Sequence, residues 1–265
     1  MENDRKAPRK VRIRFTVFLV MALILVAVSL LAPYLCPNDP NRTSSANMNE
    51  APSSRFPMGT DRFGRCVFSR VLMGARTSIY SAVALVAMTF VFGTSLGMLA
   101  GWYGGVIDSV IMRLADVMLS FPQMVLAIAV AGILGGGMGN AMLAMGITGW
   151  TVYARLARAQ VLALREEPYV HYAHLSGCGT GTILVKTMLP NILGPMIVNA
   201  TTQIGTMMIG IAGLSFLGIG VMEPNAEWGS MINLSRSYIQ LAPWAVLAPA
   251  AATIITVMIF NYLGD

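Results

Sequence analysis

The chain has 265 residues, 55% of them hydrophobic and only 11% charged, with a formal net charge of +6. A soluble domain of this size would carry charge on about a quarter of its residues, and it would lack repeated uncharged runs of about 20 residues, the length that crosses a bilayer as a helix. The short alternating segments of a transmembrane barrel are missing too, so the sequence predicts an all-α polytopic membrane protein.

In chain order, residues 1–14 form a basic cytoplasmic N-terminus. Arg5, Lys6, Arg9, Lys10, Arg12 and Arg14 stand directly before the first span, where they anchor a cytoplasmic end. They account for the positive balance without a nucleic-acid partner. The first transmembrane helix is expected at 15–35. Its apolar run exceeds the roughly 7–15 residues of a signal core, so it reads as uncleaved. Residues 36–77 follow as an extracytoplasmic segment. The core at 78–265 holds five further helices, at about 78–101, 118–136, 141–160, 195–221 and 244–263, for six transmembrane helices in all. A polar insert at 161–194 interrupts them. Six arginines in the first loop, Arg42, Arg55, Arg62, Arg65, Arg70 and Arg76, oppose the positive-inside rule. The orientation stands because the first helix usually dominates it.

Several chemistries find no support. Secondary transporters place ionisable residues inside their spans, whereas here Asp116, Arg155 and Arg158 stand only near helix ends. No HExxH or GxSxG motif occurs. His171 and His174 share a spacing that could hold a metal, but only Cys178 lies near to extend the set, and two solvated histidines are the better reading. GTGTILVKT at 179–187 has Val185 where a phosphate loop needs glycine, so the chain has no ATP site and no cofactor of its own. Cys36, Cys66 and Cys178 are odd in number without a CxxC spacing, and they read as unpaired.

The insert is the puzzle: REEPYVHYAHLSGCGTGTILVKTMLPN, Arg165 to Asn191, is polar between two apolar runs. Pro168 can open a helix on which Tyr169, Val170, Ala173 and Leu175 form an apolar stripe. Gly177, Gly179 and Gly181 permit a sharp turn. A second helix from Thr182 presents Ile183, Leu184 and Met188 before Pro190 ends it. Two short helices at a hinge suit a groove on a cytoplasmic partner.

At these residues the chain resembles the coupling motif of binding-protein-dependent ABC importer permeases. His171, Tyr172 and Ala173 occupy the EAA positions, Gly177 the glycine, and Leu189-Pro190 the closing pair. His171, Tyr172 and Thr187 depart from the usual Glu, Ala and Ile. MGTDRFGRCVFSRVLMGARTS (58–78), DVMLSFPQMVLAI, GLSFLGIGV, AEWGSMIN and FNYLGD resemble, in order, segments of the dipeptide/oligopeptide/nickel branch, with Cys66 where Asp is usual.

The resemblance implies a non-catalytic transmembrane permease subunit. It would pair with a second permease subunit as a heterodimer and contact two ATPase subunits that bind ATP and Mg. An extracytoplasmic substrate-binding protein would deliver cargo, and membrane lipid would surround the spans. His171, Tyr172, Ala173, Gly177, Leu189 and Pro190 would then couple to the ATPase. Ile211 stands where peptide permeases usually carry Glu, and this, with LSGCG and AEWGSMINLSRSYI, favours nickel or a metal chelate. Import of di- or oligopeptides is the alternative. Outside transport, the insert could make the chain a scaffold that recruits a cytoplasmic partner.

Asn199, Gln203 and Thr206 share one helix face and are candidates to line the translocation path, or to make interhelical hydrogen bonds. Asp61, Arg65 and Arg70 are candidates for extracytoplasmic contact with the binding protein, though an internally paired loop is the favoured reading. Met207 and Met208 are apolar filler rather than metal ligands. Gly93, Gly97 and Gly101 permit close helix packing.

Overall fold

The computed structural model describes residues 9–264, with side chains from Arg12 onward. Its helices are α1 (Arg9–Leu35), α2 (Val67–Tyr103), α3 (Gly105–Leu119), α4 (Gln123–Leu134), α5 (Met138–Arg165), α6 (Pro168–Leu175), α7 (Thr180–Thr182), α8 (Leu189–Phe216), α9 (Trp228–Ser235) and α10 (Trp244–Gly264). A π-helical segment, Ile183–Met188, joins α7 to α8. No strand forms among the described residues, and one antiparallel bridge joins Thr60 to Cys66.

By length and composition, four stretches can cross a membrane: Arg12–Leu35, Val67–Tyr103, Thr180–Phe216 and Trp244–Gly264. Helices α3 and α4, bent by 89°, make a fifth if they count as one span. The expected six are not reached on these criteria: α5, with Arg155, Arg158 and Arg165 in its C-terminal half, is not among the stretches that meet them.

Of the boundaries that differ from the sequence reading, three have a visible local cause. α2 begins at Val67 rather than 78, since Arg70 turns inward to backbone carbonyls and the first turns gain a buried polar anchor. The stretch 102–117, expected as a loop, is mostly α3: only Gly104 and Gly105, with φ of 64° and 54°, break the helix. α3 then stops before Pro122, which disfavours helix in the residue preceding it. α8 stops at Phe216 rather than 221, where the Ile219 and Gly220 N–H groups turn back to the Leu214 carbonyl.

The chain divides into two compact units. In the first, residues up to Ala82 and from Thr201 onward, α10 packs against α1 and α9. Phe18 and Tyr262 stack there with ring centroids 5.0 Å apart. Glu227 is fully buried and caps α9, accepting hydrogen bonds from the Gly229 and Ser230 N–H groups at 2.9 and 2.8 Å. The Ser78 hydroxyl donates to the same carboxylate at 3.2 Å. In the second unit, Val83–Ala200, α5 packs against α3 and α4. A Cβ on Gly93 or Gly97 would collide with the backbone of Trp150 or Ala154 on α5. Those glycines set how closely the two helices approach.

Candidate functional site

The polar insert lies within the second unit. Glu167, extended at φ −72° and ψ 140°, precedes α6, and Pro168 occupies the first turn, where a missing N–H costs nothing. The helix ends on Gly177 at φ +79°, a left-handed conformation that few residues other than glycine adopt readily. There the Gly177 N–H donates to the His174 carbonyl at 3.0 Å and the Cys178 N–H to that of Ala173 at 3.1 Å, satisfying helix-end carbonyls. The helix and glycine turn expected from sequence are both present.

The faces sort differently from the expectation. On α6 only Val170 is buried, while Tyr172 is 68% and Leu175 81% exposed. With Tyr169, also exposed, these residues follow an i, i+3, i+6 spacing, which places them on one helix face. The expected stripe of Tyr169, Val170, Ala173 and Leu175 thus keeps Tyr169 and Leu175 on the exposed face; the Tyr169–Tyr172–Leu175 spacing was the signal available. His171 and His174 are exposed, and Ala173 is half-buried. Ile183, Leu184 and Met188, read as a presented face, are buried in the chain itself. Val185 is the apolar residue left outside.

Pro190 does not end a helix, as expected, but stands in the first turn of α8. The π segment ahead of it explains this. Wider i→i+5 bonding, such as Leu189 N–H to Leu184 O, removes the carbonyl that an α-helical proline ring would strike. Leu189 is half-buried and Pro190 exposed.

Of the candidate path residues, Asn199 is half-buried with its Oδ1 atom buried and without a hydrogen-bond partner. Gln203 is half-buried and Thr206 exposed. In the first unit, Asp61, Arg65 and Arg70 are all buried. Asp61 accepts from the Phe63 and Arg65 N–H groups at 2.9 and 3.0 Å and from Arg65 Nε at 2.7 Å. Arg65 also pairs with Glu223 at 2.9 Å, and Arg70 donates to the Pro40 and Pro224 carbonyls. These three side chains therefore tie the segment together from within.

Among the described residues no group of three His, Cys, Asp or Glu could hold a metal ion. All three cysteines are free. Burial raises the Cys36 thiol above its ordinary pKa.

The profile of the family described as binding-protein-dependent transport system inner membrane component matches residues 93–265. The chain belongs to that family. It is thus the permease component of an ABC importer and a multi-pass protein of the bacterial inner membrane. Over 247 residues it is 40% identical to the dipeptide transport system permease protein DppC of Alkalihalophilus pseudofirmus, covering 93% of this chain and 81% of that one. The glutathione transport system permease protein GsiD of Pectobacterium atrosepticum is also 40% identical, with 93% and 82% covered. The nickel transport system permease protein NikC of Escherichia coli K12 is 36% identical, with 93% and 89% covered. Overall identity therefore does not single out the nickel branch. An inward-facing structure of the MetNI methionine ABC transporter shares the fold at TM-score 0.51 and 18% identity, covering 71% of this chain and 92% of the matched one.

Proposed function

We propose that this ABC importer permease works as one of two membrane subunits, paired as a heterodimer. It is non-catalytic: two partner ATPase subunits bind ATP and Mg, and an extracytoplasmic binding protein supplies cargo. The N-terminus, the insert at 161–194 and the C-terminus face the cytoplasm, and 36–77 lies outside. The observation that carries this reading is the exposed Tyr169, Tyr172 and Leu175 face of α6 beside the Gly177 turn. An apolar helix face of this size suits a groove on a partner, with Leu189 and Pro190 at the root of the lever. Asn199, Gln203 and Thr206 line the path, and Asp61, Arg65 and Arg70 brace the outer segment against which the binding protein docks.

For cargo, the reading is nickel as a metal chelate. Ile211 favours it, and the want of a metal-ligand trio among the described residues suits an ion that arrives with its own ligands. Dipeptides are the second reading, favoured by the 40% identity to a dipeptide permease. The test is uptake of radiolabelled nickel by cells with and without the gene, with excess histidine or excess dipeptide. Deletion abolishing uptake, histidine raising it and dipeptide leaving it unchanged is the expected pattern. Nickel uptake untouched by deletion would refute the chelate reading.

A further inference from the structure

The arginines of the first loop run against the positive-inside rule, and the fold accounts for only some of them. Arg65 and Arg70 are buried against Asp61, with Glu223 as a second partner of Arg65. The Arg62 guanidinium lies over the Phe63 and Tyr238 rings, 4.5 and 5.7 Å from their centroids. Arg42 and Arg55 are exposed and make no ion pair among the described residues.

These two line one cavity of about 270 Å³ within the first unit. Asp39 joins them at its exposed rim, Ser44 and Asn47 are half-buried in its wall, and Cys66 is buried. The backbone that carries the rim is tied down. The Asn38 side-chain amide donates to the Arg55 carbonyl at 3.0 Å, the Ser53 N–H to the Phe56 carbonyl at 2.9 Å, and the Arg42 N–H to the Asp39 carbonyl at 3.3 Å. The Arg55 guanidinium sits 5.2 Å from the centre of the Phe56 ring, a stacking that leaves its N–H edge free for an anion.

Charge decides what this cavity takes. Two guanidiniums stand against one carboxylate, and Asp39 is already engaged, its Oδ1 accepting from the Asn41 N–H at 2.9 Å. Cys66 puts a thiol in the wall where the branch that the chain resembles usually has Asp. An excess of one positive charge fits a single carboxylate. No residue of α1 or α2 lines the cavity, so the acyl chains of a lipid would find no wall there.

We propose that the cavity receives an acidic side chain, Glu or Asp, of the extracytoplasmic binding protein, its carboxylate held between Arg42 and Arg55. The inference rests on the importer reading above for that partner and for the outward placement of 36–77. Charges at the rim of an interface act chiefly on the rate of encounter and on its salt dependence.

The experiment follows, by biolayer interferometry at low and high salt, association of the transporter's own binding protein with the complete transporter in phosphatidylcholine nanodiscs. Arg42→Glu with Arg55→Glu should slow association at least about tenfold at low salt and flatten its salt dependence. Cys66→Asp, which returns a carboxylate to the wall, should shift both in the same direction by less. The melting temperature of the double variant, which breaks no ion pair within the chain, reports whether it is folded. Wild-type association in a folded double variant would overturn the proposal and leave the importer reading intact. Binding by neither form would refute the binding-protein reading itself, and this inference with it. Loss of a copurifying anionic lipid from the double variant, with association unchanged, would assign the cavity to a headgroup and overturn the proposal likewise.

Discussion

Replacing Gly97 with alanine tests the packing of α2 on α5. The new Cβ would strike the carbonyl oxygen of Ala154, with the Ala154 Cα and C atoms each 2.9 Å away. These are backbone atoms and cannot swing aside, so the helices must part. A gap of about 0.5–1 Å forfeits a quarter to a half of a contact worth about 0.1–0.2 kcal/mol. Over roughly 30 atom pairs along the seam the loss comes to about 1–2 kcal/mol, within the ordinary cost of overpacking. Alanine returns about 0.5–1 kcal/mol through its better helix propensity. Gly132 in α4 supplies the control, since a Cβ there meets nothing within 4 Å. Gly132→Ala should keep only the propensity gain, which cancels between the two variants and places them about 1–2 kcal/mol apart. Unfolding of the purified chain in mixed micelles, followed by helical circular dichroism, measures the difference. Equal stability of the two variants would refute the idea that Gly97 sets the α2–α5 distance.

Asp61→Asn leaves buried Arg70 without a carboxylate and Arg65 with Glu223 alone, and breaking one side of a buried pair costs roughly 3–5 kcal/mol. Membrane abundance and melting temperature should both fall; wild-type values would show that the cluster does not hold the segment. Gly177→Val forces a β-branched residue to φ +79°, a strain of about 1–2 kcal/mol confined to the turn. We expect normal abundance, retained ATPase activity in the assembled transporter and at least tenfold less transport, while intact coupling would contradict the hinge. Cys178 is exposed and Cys66 buried, and the raised pKa of Cys36 keeps its thiol protonated, and slow, at neutral pH. A membrane-impermeant maleimide should label Cys178 in inverted vesicles and not in intact spheroplasts; labelling in spheroplasts would overturn the cytoplasmic placement of the insert.

Where local chemistry decides structure, the sequence was readable. Pro168 and Gly177 marked the ends of α6, and the glycine ladder at 93, 97 and 101 marked a close helix contact. Asp61, Arg65 and Arg70 were legible as a polar core. The parts that stayed hidden depend on partners distant in sequence. Arg70 looks like a loop residue until the Pro40 and Pro224 carbonyls receive it, and only then can α2 begin at Val67. The burial of Ile183, Leu184 and Met188 was hidden for another reason: ordinary helical spacing, applied across the insert, predicts the wrong face.

That spacing has a genetic corollary. In the π segment, Ile183 and Met188 are both buried although five residues separate them, one more than an α-helical turn would use. Deleting a single codon between them would restore an ordinary helix and swing everything upstream, α6 included, by about 100° around the axis. A point mutation elsewhere in the insert changes one side chain, whereas a one-residue deletion here would re-aim the whole docking surface. Reading-frame-preserving deletions, rather than substitutions, are therefore the changes this segment is built to punish.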